Sequence, residues 1–324
     1  MSHVDITVAI CTYNGANRVR DVLDALCEQS LSDTVIWEVL VIDNASQDNI
    51  RQVIYRYKNQ PHCNYPLRYT FEAQQGLAFA RLHAVAAAKG VLVAFLDDDN
   101  IPTQSWVNSV VTFAQSHPQV GAFGGKIKGQ YEVPPPEGFE RIAGFLAIID
   151  RGELAHCYTP QNRMLPPGAG LVVRRAVWLE HVPKTPTLTG RSQTSLLAGE
   201  DLEVLAHIQK AGWEIWYNPE MVIYHKIPKS RLEEPYLLKL AWGIGLCRHH
   251  IRIARYRQWQ AIALTPLHIV HDGIKVLKLV LHSRHSNATM LSRKFELNYQ
   301  LATFYSPFYW LFNSLKISFQ KPNE

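Results

Sequence analysis

The stretch Val91-Leu92-Val93-Ala94-Phe95-Leu96-Asp97-Asp98-Asp99-Asn100 decides how this chain is read: six apolar residues run straight into three carboxylates. An apolar run of that length reads as a buried strand. Such a strand carries whatever follows it to the carboxyl edge of the sheet, the ligand crevice of open α/β folds. Alternation along the strand would set Asp97 and Asp99 on one side and Asp98 on the other, so that two acids face a common divalent cation. Hard cations such as Mg²⁺ or Mn²⁺ favour oxygen ligands of this kind. A solvated acidic turn is the plain alternative.

Working outward, the first hundred residues alternate short apolar runs with helical patterns, the signature of βαβ units and a mainly parallel sheet. Ile6 to Cys11 reads as the first strand, and Asn17 caps a helix whose Val19, Val22, Leu23 and Leu26 repeat at helical spacing. Val39 to Ile42 is the second strand. Asp48 caps the next helix, with Ile50, Val53, Ile54 and Tyr57 on its apolar face, and Leu67 to Phe71 is the third strand. The Ala-rich segment from Gly76 to Lys89 reads as a helix closed by Gly90. Downstream, the patterns predict a helix over Thr103 to Ser116 and strands over Val120 to Ile127, Leu171 to Val173 and Trp216 to Tyr224. Gly199-Glu200-Asp201 opens a helix that Gly212 ends. Arg163 to Gly170, with two prolines and two glycines, reads as a substrate-facing loop.

A chain of 324 residues, 47% hydrophobic and 19% charged, holds a large core. Its five cysteines form no CxxC pair and are odd in number, which favours neither a disulfide framework nor a zinc site and fits a reducing cytosol. The start, Met1-Ser2-His3-Val4-Asp5, has no basic region followed by an apolar one, so no secretory signal is expected. Charge is divided unevenly. Residues 1–225 carry 18 Lys and Arg against 23 Asp and Glu, a net of −5, whereas residues 226–324 carry 15 against 5, a net of +10. The contrast points to an acidic catalytic body and a basic region facing an anionic partner.

The boundary is expected near 226–235, where the pattern turns to helices rich in aromatic and basic residues. In Pro266 to His282 the apolar Ile269, Val270, Gly273, Ile274, Leu277, Val280 and Leu281 are expected on one face, with His271, Lys275, Lys278 and His282 opposite. This basic amphipathic helix is too short in its uncharged runs to span a bilayer but suited to lie on one. An ordinary helix packed on the body is the alternative. Thr303 to Phe319 is aromatic-rich and reads equally as a headgroup-level or a docking segment.

Four clusters follow in order: Ile10-Cys11-Thr12-Tyr13-Asn14, then Val41-Ile42-Asp43-Asn44-Ala45-Ser46-Gln47-Asp48, then the triple Asp, then Gly199-Glu200-Asp201. With the intervening Gly76-Leu77-Ala78-Phe79-Ala80-Arg81, this order resembles the inverting family 2 glycosyltransferases of the GT-A fold over about residues 4–225. Bacterial exopolysaccharide and hormogonium polysaccharide glycosyltransferases are the nearest flavour. The resemblance implies an α/β fold, a Rossmann-like mixed and mainly parallel sheet flanked by helices, with a helical C-terminal extension. Residues 1–225 would form the nucleotide-sugar-binding and catalytic domain, and 226–324 the basic, aromatic-rich helical region.

It further implies a metal-dependent hexosyl transfer from a nucleotide sugar, a UDP-sugar by preference, to a saccharide or lipid-linked saccharide. A divalent cation, Mn²⁺ or Mg²⁺, would neutralise the departing diphosphate. By the family pattern Asp99 binds the metal, Asp97 the ribose and Asp98 supports them or faces solvent, while His225, after the last strand, sits near the metal or diphosphate or is a structural residue at the strand end. Asp201 is the expected base for the acceptor hydroxyl, favoured as a carboxylate by the helix N-terminus, and Glu200 positions it or the acceptor; capping is the plain reading of both. Thr12, Tyr13 and Asn14 would hold base and ribose in the first strand-to-helix loop, and Asp43 would accept the base N–H. Arg81 pairs either with a phosphate or with a structural carboxylate. Trp213 and Trp216 are candidates for sugar stacking or for the core. The expected location is cytoplasmic, peripheral on the inner face of the plasma membrane, and nucleic acid is not among the expected partners. A Mg²⁺-dependent nucleotidyltransferase, an Asp-based phosphatase and a non-catalytic nucleotide-sugar-binding subunit of a membrane complex are the competing readings. A phosphatase of that kind needs its DxD at the first strand.

Overall fold

The computed structural model describes residues 4–58, 65–159, 165–190, 197–254, 256, 258–281 and 289–320. The chain divides into two compact units, the first comprising Met1–Glu132, Leu146–Thr189 and Glu200–Ile227, the second Val133–Phe145, Gly190–Gly199 and Pro228–Glu324.

In the first unit the strands are β1 (Ile6–Thr12), β2 (Trp37–Asp43), β3 (Leu67–Phe71), β4 (Leu92–Asp97), β5 (Asn100–Pro102), β6 (Val120–Tyr131), β7 (His156–Cys157), β8 (Val172–Arg174) and β9 (Glu214–Ile227). Among the described residues they form one sheet in the order β3-β2-β1-β4-β8-β6-β9-β5, with β7 pairing to β9. The β3-β2-β1-β4 half is parallel throughout. Beyond β4 the sheet is mixed: β8 runs antiparallel to both neighbours, β6 runs parallel to β9, and β5 and β7 pair antiparallel with β9.

Strand alternation sorts the core into two layers. Ile6, Val8 and Ile10 of β1 face the layer formed with α1 (Val19–Cys27), α2 (Ile50–Lys58) and α4 (Trp106–Ser116). Ala9 and Cys11 face the other, with α3 (Leu77–Ala87), α5 (Arg175–His181) and α6 (Glu200–Lys210). Both faces of the parallel half are therefore covered, which is why its strands read as continuous apolar runs.

Several sequence expectations are corrected locally. Arg18, not Asn17, precedes the first turn of α1, and no side chain caps it. The segment predicted to open a helix at Thr103 is preceded by β5 and the helix begins at Trp106. Among the described residues Cys11, Cys157 and Cys247 are free thiols.

The second unit is helical, with α7 (Lys229–Leu232), α8 (Glu234–Ala254), α9 (Gln258–Leu281) and α10 (Met290–Gln320). Gly245 lets α8 approach α10 closely, since a Cβ there would meet Ala302 Cβ at 2.6 Å. At the same crossing Ser306 Oγ and Trp310 Nε1 both donate to the Leu246 carbonyl, at 2.5 and 2.9 Å. Arg252 of α8 pairs with the fully buried Asp272 of α9. No described helix is long and apolar enough to cross a membrane.

Candidate active site

The carboxyl ends of β1, β2 and β4 lie side by side in register, Thr12 opposite Asp43 and Cys11 opposite Asp97. This is why clusters separated by tens of residues converge on one edge. Only Asp97 belongs to β4; Asp98 and Asp99 form a turn before β5, so the expected strand alternation stops at Asp97.

The three acids have different surroundings. Asp98 is neither solvated nor idle: it is 7% exposed, accepts Thr12 Oγ1 at 2.6 Å, and receives Nε and Nη2 of Arg18 at 2.8 and 2.9 Å. Arg18 Nη2 also reaches the Tyr13 carbonyl at 3.2 Å, so the pair staples the β1–α1 loop to the acid turn. Gly15 leaves the room for this, because a Cβ there would stand 2.1 Å from both Asp98 Oδ2 and Thr12 Oγ1. Asp97, one-third exposed, lies 3.8 Å from Arg81 Nη2.

Asp99 is buried beside His225, with Oδ1 3.7 Å from Nε2. The juxtaposition comes from β5, whose Asn100 pairs directly with His225 on β9, and from the Lys226 amide donating to the Asp99 carbonyl at 2.9 Å. His225 Nδ1 lies 2.9 Å from the Leu146 carbonyl, which requires that nitrogen to donate, and Nε2 is the ring nitrogen that faces Asp99. A carboxylate and an imidazole so placed offer one oxygen and one nitrogen donor to a divalent cation that would complete its shell with substrate phosphates. Among the described residues no group of three or more His, Cys, Asp or Glu is assembled to hold a metal by itself.

In the β1–α1 and β2–α2 loops, Asn14 adopts φ 49° and Ala45 φ 60°. Asn14 N donates to Ser46 Oγ at 3.0 Å and its Oδ1 accepts from Gln47 N at 2.8 Å, which ties the two loops together. Asp43 accepts Ser46 N at 2.9 Å and Tyr69 Oη at 2.7 Å. Asn44 reaches the Gln74 carbonyl at 2.7 Å and accepts Gly76 N at 2.8 Å, fixing the start of α3.

The opposite wall is built on α6. Glu200 is buried against Arg81, Oε1 to Nη1 at 3.1 Å, and Arg81 is itself 3% exposed with its guanidinium 5.5 Å above the Phe95 ring. In this structure Arg81 is a buried ion-pair partner, bridging Glu200 to Asp97. Asp201, partly exposed, accepts the Gly168 amide at 2.6 Å and Leu202 N at 2.8 Å. Gly168 fits because a Cβ would collide with Arg81 Nη2 at 2.2 Å. Burial pushes the Cys11 thiol up to about 12, with Arg81 opposing, so it is a packing residue and not a nucleophile.

Other candidates fall away from this edge. Trp216 packs on Phe113 and His117 at 6.1 and 5.0 Å, and Trp213 packs against the second core layer. Arg163 lies outside the described residues. Arg18, Asn44 and Gly168 join the site through tertiary contacts. A lone Arg at a helix start has no sequence signal, whereas the glycines flanking Ala169 were a visible cue.

A single α/β sheet whose strand ends gather nucleotide-type loops, an acid turn and a helix-borne carboxylate pair defines a GT-A glycosyltransferase. The sequence model of glycosyl transferase family 2 matches residues 7–178, and the chain belongs to that family. Among similar proteins, it is 31% identical over 243 residues to glycosyltransferase AglE of Haloferax volcanii, covering 74% of this chain and 71% of that protein. It is 23% identical over 246 residues to succinoglycan biosynthesis protein ExoM of Rhizobium meliloti, covering 75% and 73%. Of solved structures, the mannosyltransferase PcManGT of Pyrobaculum calidifontis, in complex with GDP-Man and Mn²⁺, superposes with TM-score 0.61 at 19% identity over 97% of this chain and 88% of that one. TarS of S. aureus in complex with UDP superposes with TM-score 0.52 at 16% identity over 94% and 91%.

Proposed function

We propose that this family 2 glycosyltransferase is an inverting, metal-dependent enzyme that moves a hexosyl group from a UDP-sugar to a saccharide or lipid-linked saccharide in polysaccharide synthesis. The observation that carries the reading is the approach of Asp99 to His225 on one side of the site with Asp201 held at the start of α6. PcManGT in complex with GDP-Man and Mn²⁺ and TarS in complex with UDP support a nucleotide-sugar donor and a divalent ion.

In this reading the loops bearing Thr12, Tyr13, Asn14 and Asp43 hold the nucleoside, with Asp97 toward the ribose. Asp99 and His225 hold the cation, which when bound neutralises charge on the departing diphosphate. The Gly168 amide keeps Asp201 in one orientation, and a carboxylate oxygen retains lone pairs to take the acceptor hydroxyl proton. The deprotonated oxygen attacks the anomeric carbon from the face opposite the diphosphate, one C–O bond forms as the other breaks, and the configuration inverts. Arg81 neutralises Glu200 and so leaves Asp201 as the carboxylate toward the acceptor.

Release of free UDP from a panel of UDP-sugars, with and without Mn²⁺, tests this directly. Metal-dependent UDP release with at least one donor is the expected result; none with any donor, but turnover of a nucleoside triphosphate, would transfer the site to the nucleotidyltransferase class.

A further inference from the structure

Helix α9 has an apolar stripe that the described residues of its own unit leave largely exposed, although Gly273 within it faces the Phe304 ring of α10. Trp259, Ile262, Leu267, Val270, Ile274 and Leu277 are between 48% and 70% exposed. At 3.6 residues per turn they fall within an arc of about 140°. The opposite side of the same helix is the packed one, carrying the buried Asp272 that pairs with Arg252 and the half-buried Thr265, Val276 and Leu279. Among the described residues the helix is therefore apolar on two sides, and one of them is the packed side. An exposed apolar stripe of this length is not ordinary surface.

The charges next to the stripe decide what fits it. Lys278 and His271, both exposed, lie just beyond one border of the arc, and Lys275, also exposed, lies further round; His282 lies outside the described residues. The single acid of α9, Asp272, is consumed in its ion pair. A second copy docking through this face would bring two positive borders together, whereas residues 226–324, at +10, complement a negatively charged surface. Lysines bordering an apolar stripe can extend to headgroup phosphates while the stripe lies at the acyl boundary, and an indole such as Trp259 suits that depth.

We propose that this outer face of α9 docks on a bilayer containing anionic phospholipid, lying in the headgroup layer without crossing it. The inference deepens the reading of a membrane-linked acceptor, but binding is measured without donor or acceptor and so stands or falls separately.

The full chain should co-sediment with phosphatidylglycerol-rich vesicles at least tenfold more strongly than with phosphatidylcholine vesicles, and less at high salt. Val270→Glu with Ile274→Glu, at exposed positions, should abolish binding while leaving metal-dependent UDP release in solution unchanged. Lys275→Ala and Lys278→Ala should each weaken it by roughly fivefold. Brominated lipid should quench the wild-type fluorescence more than that of Trp259→Phe. Unaltered vesicle binding by the double Glu variant would overturn the proposal. So would a wild-type dimer in light scattering that the same variant splits, since the face would then belong to a second copy. Loss of UDP release in the wild type with vesicle binding intact would instead count against the catalytic reading alone.

Discussion

Arg18 holds Asp98 through two parallel hydrogen bonds of 2.8 and 2.9 Å. The middle acid of the triple Asp is thereby spent on positioning, and only Asp97 and Asp99 remain turned to other partners. Bidentate pairing of this kind fixes direction as well as distance, so the β1–α1 loop and the acid turn move as one piece.

Arg18→Ala should therefore loosen the nucleotide loop more than it destabilises the fold, because the arginine side chain is 46% exposed. The expected outcome is a three- to tenfold weaker UDP affinity by titration calorimetry, with a melting temperature close to wild type. Gly15→Ala should weaken UDP further, because a Cβ 2.1 Å from Asp98 Oδ2 forces the clamp apart.

Asp201→Asn keeps the shape and an acceptor oxygen for the Gly168 amide but removes the proposed base. Transfer should fall by about 10² to 10⁴ in kcat, the usual worth of a general base, while UDP binding stays within twofold. Weak donor binding with near-normal kcat would move Asp201 from base to donor contact.

Asp99→Ala and His225→Ala should each raise the Mn²⁺ concentration needed for half-maximal UDP release, by tenfold or more. Asp98→Ala should not shift that midpoint comparably. Equal midpoints for all three would detach the metal from the Asp99–His225 pair.

Arg81→Met leaves Glu200 buried without its cation and should cost about 3–5 kcal/mol of stability in denaturant unfolding. Adding Glu200→Gln should restore part of the loss, a coupling that a simple packing defect would not show.

His249, in α8, is held down to about 4 by burial first, with His268 and other cations adding to the effect. Its ordinary value is 6.5. Between those values the unfolded chain binds a proton that the folded one refuses, so this contribution to stability is complete above the ordinary value and is lost as pH falls through the window. Unfolding curves across that range should show a slope that His249→Gln flattens.

Much of the fold was legible because the first half of the sheet is parallel and covered on both faces. Burial on both sides forces near-continuous apolar strands, and the helices between them must keep one apolar stripe, so Ile6, Val39, Leu67 and Leu92 announce their strands. The short β5 and the reversal at β8 were not legible. Three residues of Asn-Ile-Pro or Val-Val-Arg carry no periodicity, and their direction is set by neighbours far along the chain.

The candidate site divides in the same way. By itself the sequence determined which residue types stand at the ends of strands and at the start of α6, since a strand's end delivers its next residues to the sheet edge wherever the strand is placed. Only the tertiary structure decided how they share the work. Arg18 reaches Asp98 across 80 residues, Arg81 reaches Glu200 across 119, and β5 pairs Asn100 with His225 to bring Asp99 beside that imidazole. Charge pairing depends on distance through space, which falls to about 3 Å for the two arginine pairs and has no local signal in the chain. The outer face of α9 follows the same rule: its apolar residues were readable from their period, but which side of the helix would be packed depended on where Asp272 found Arg252.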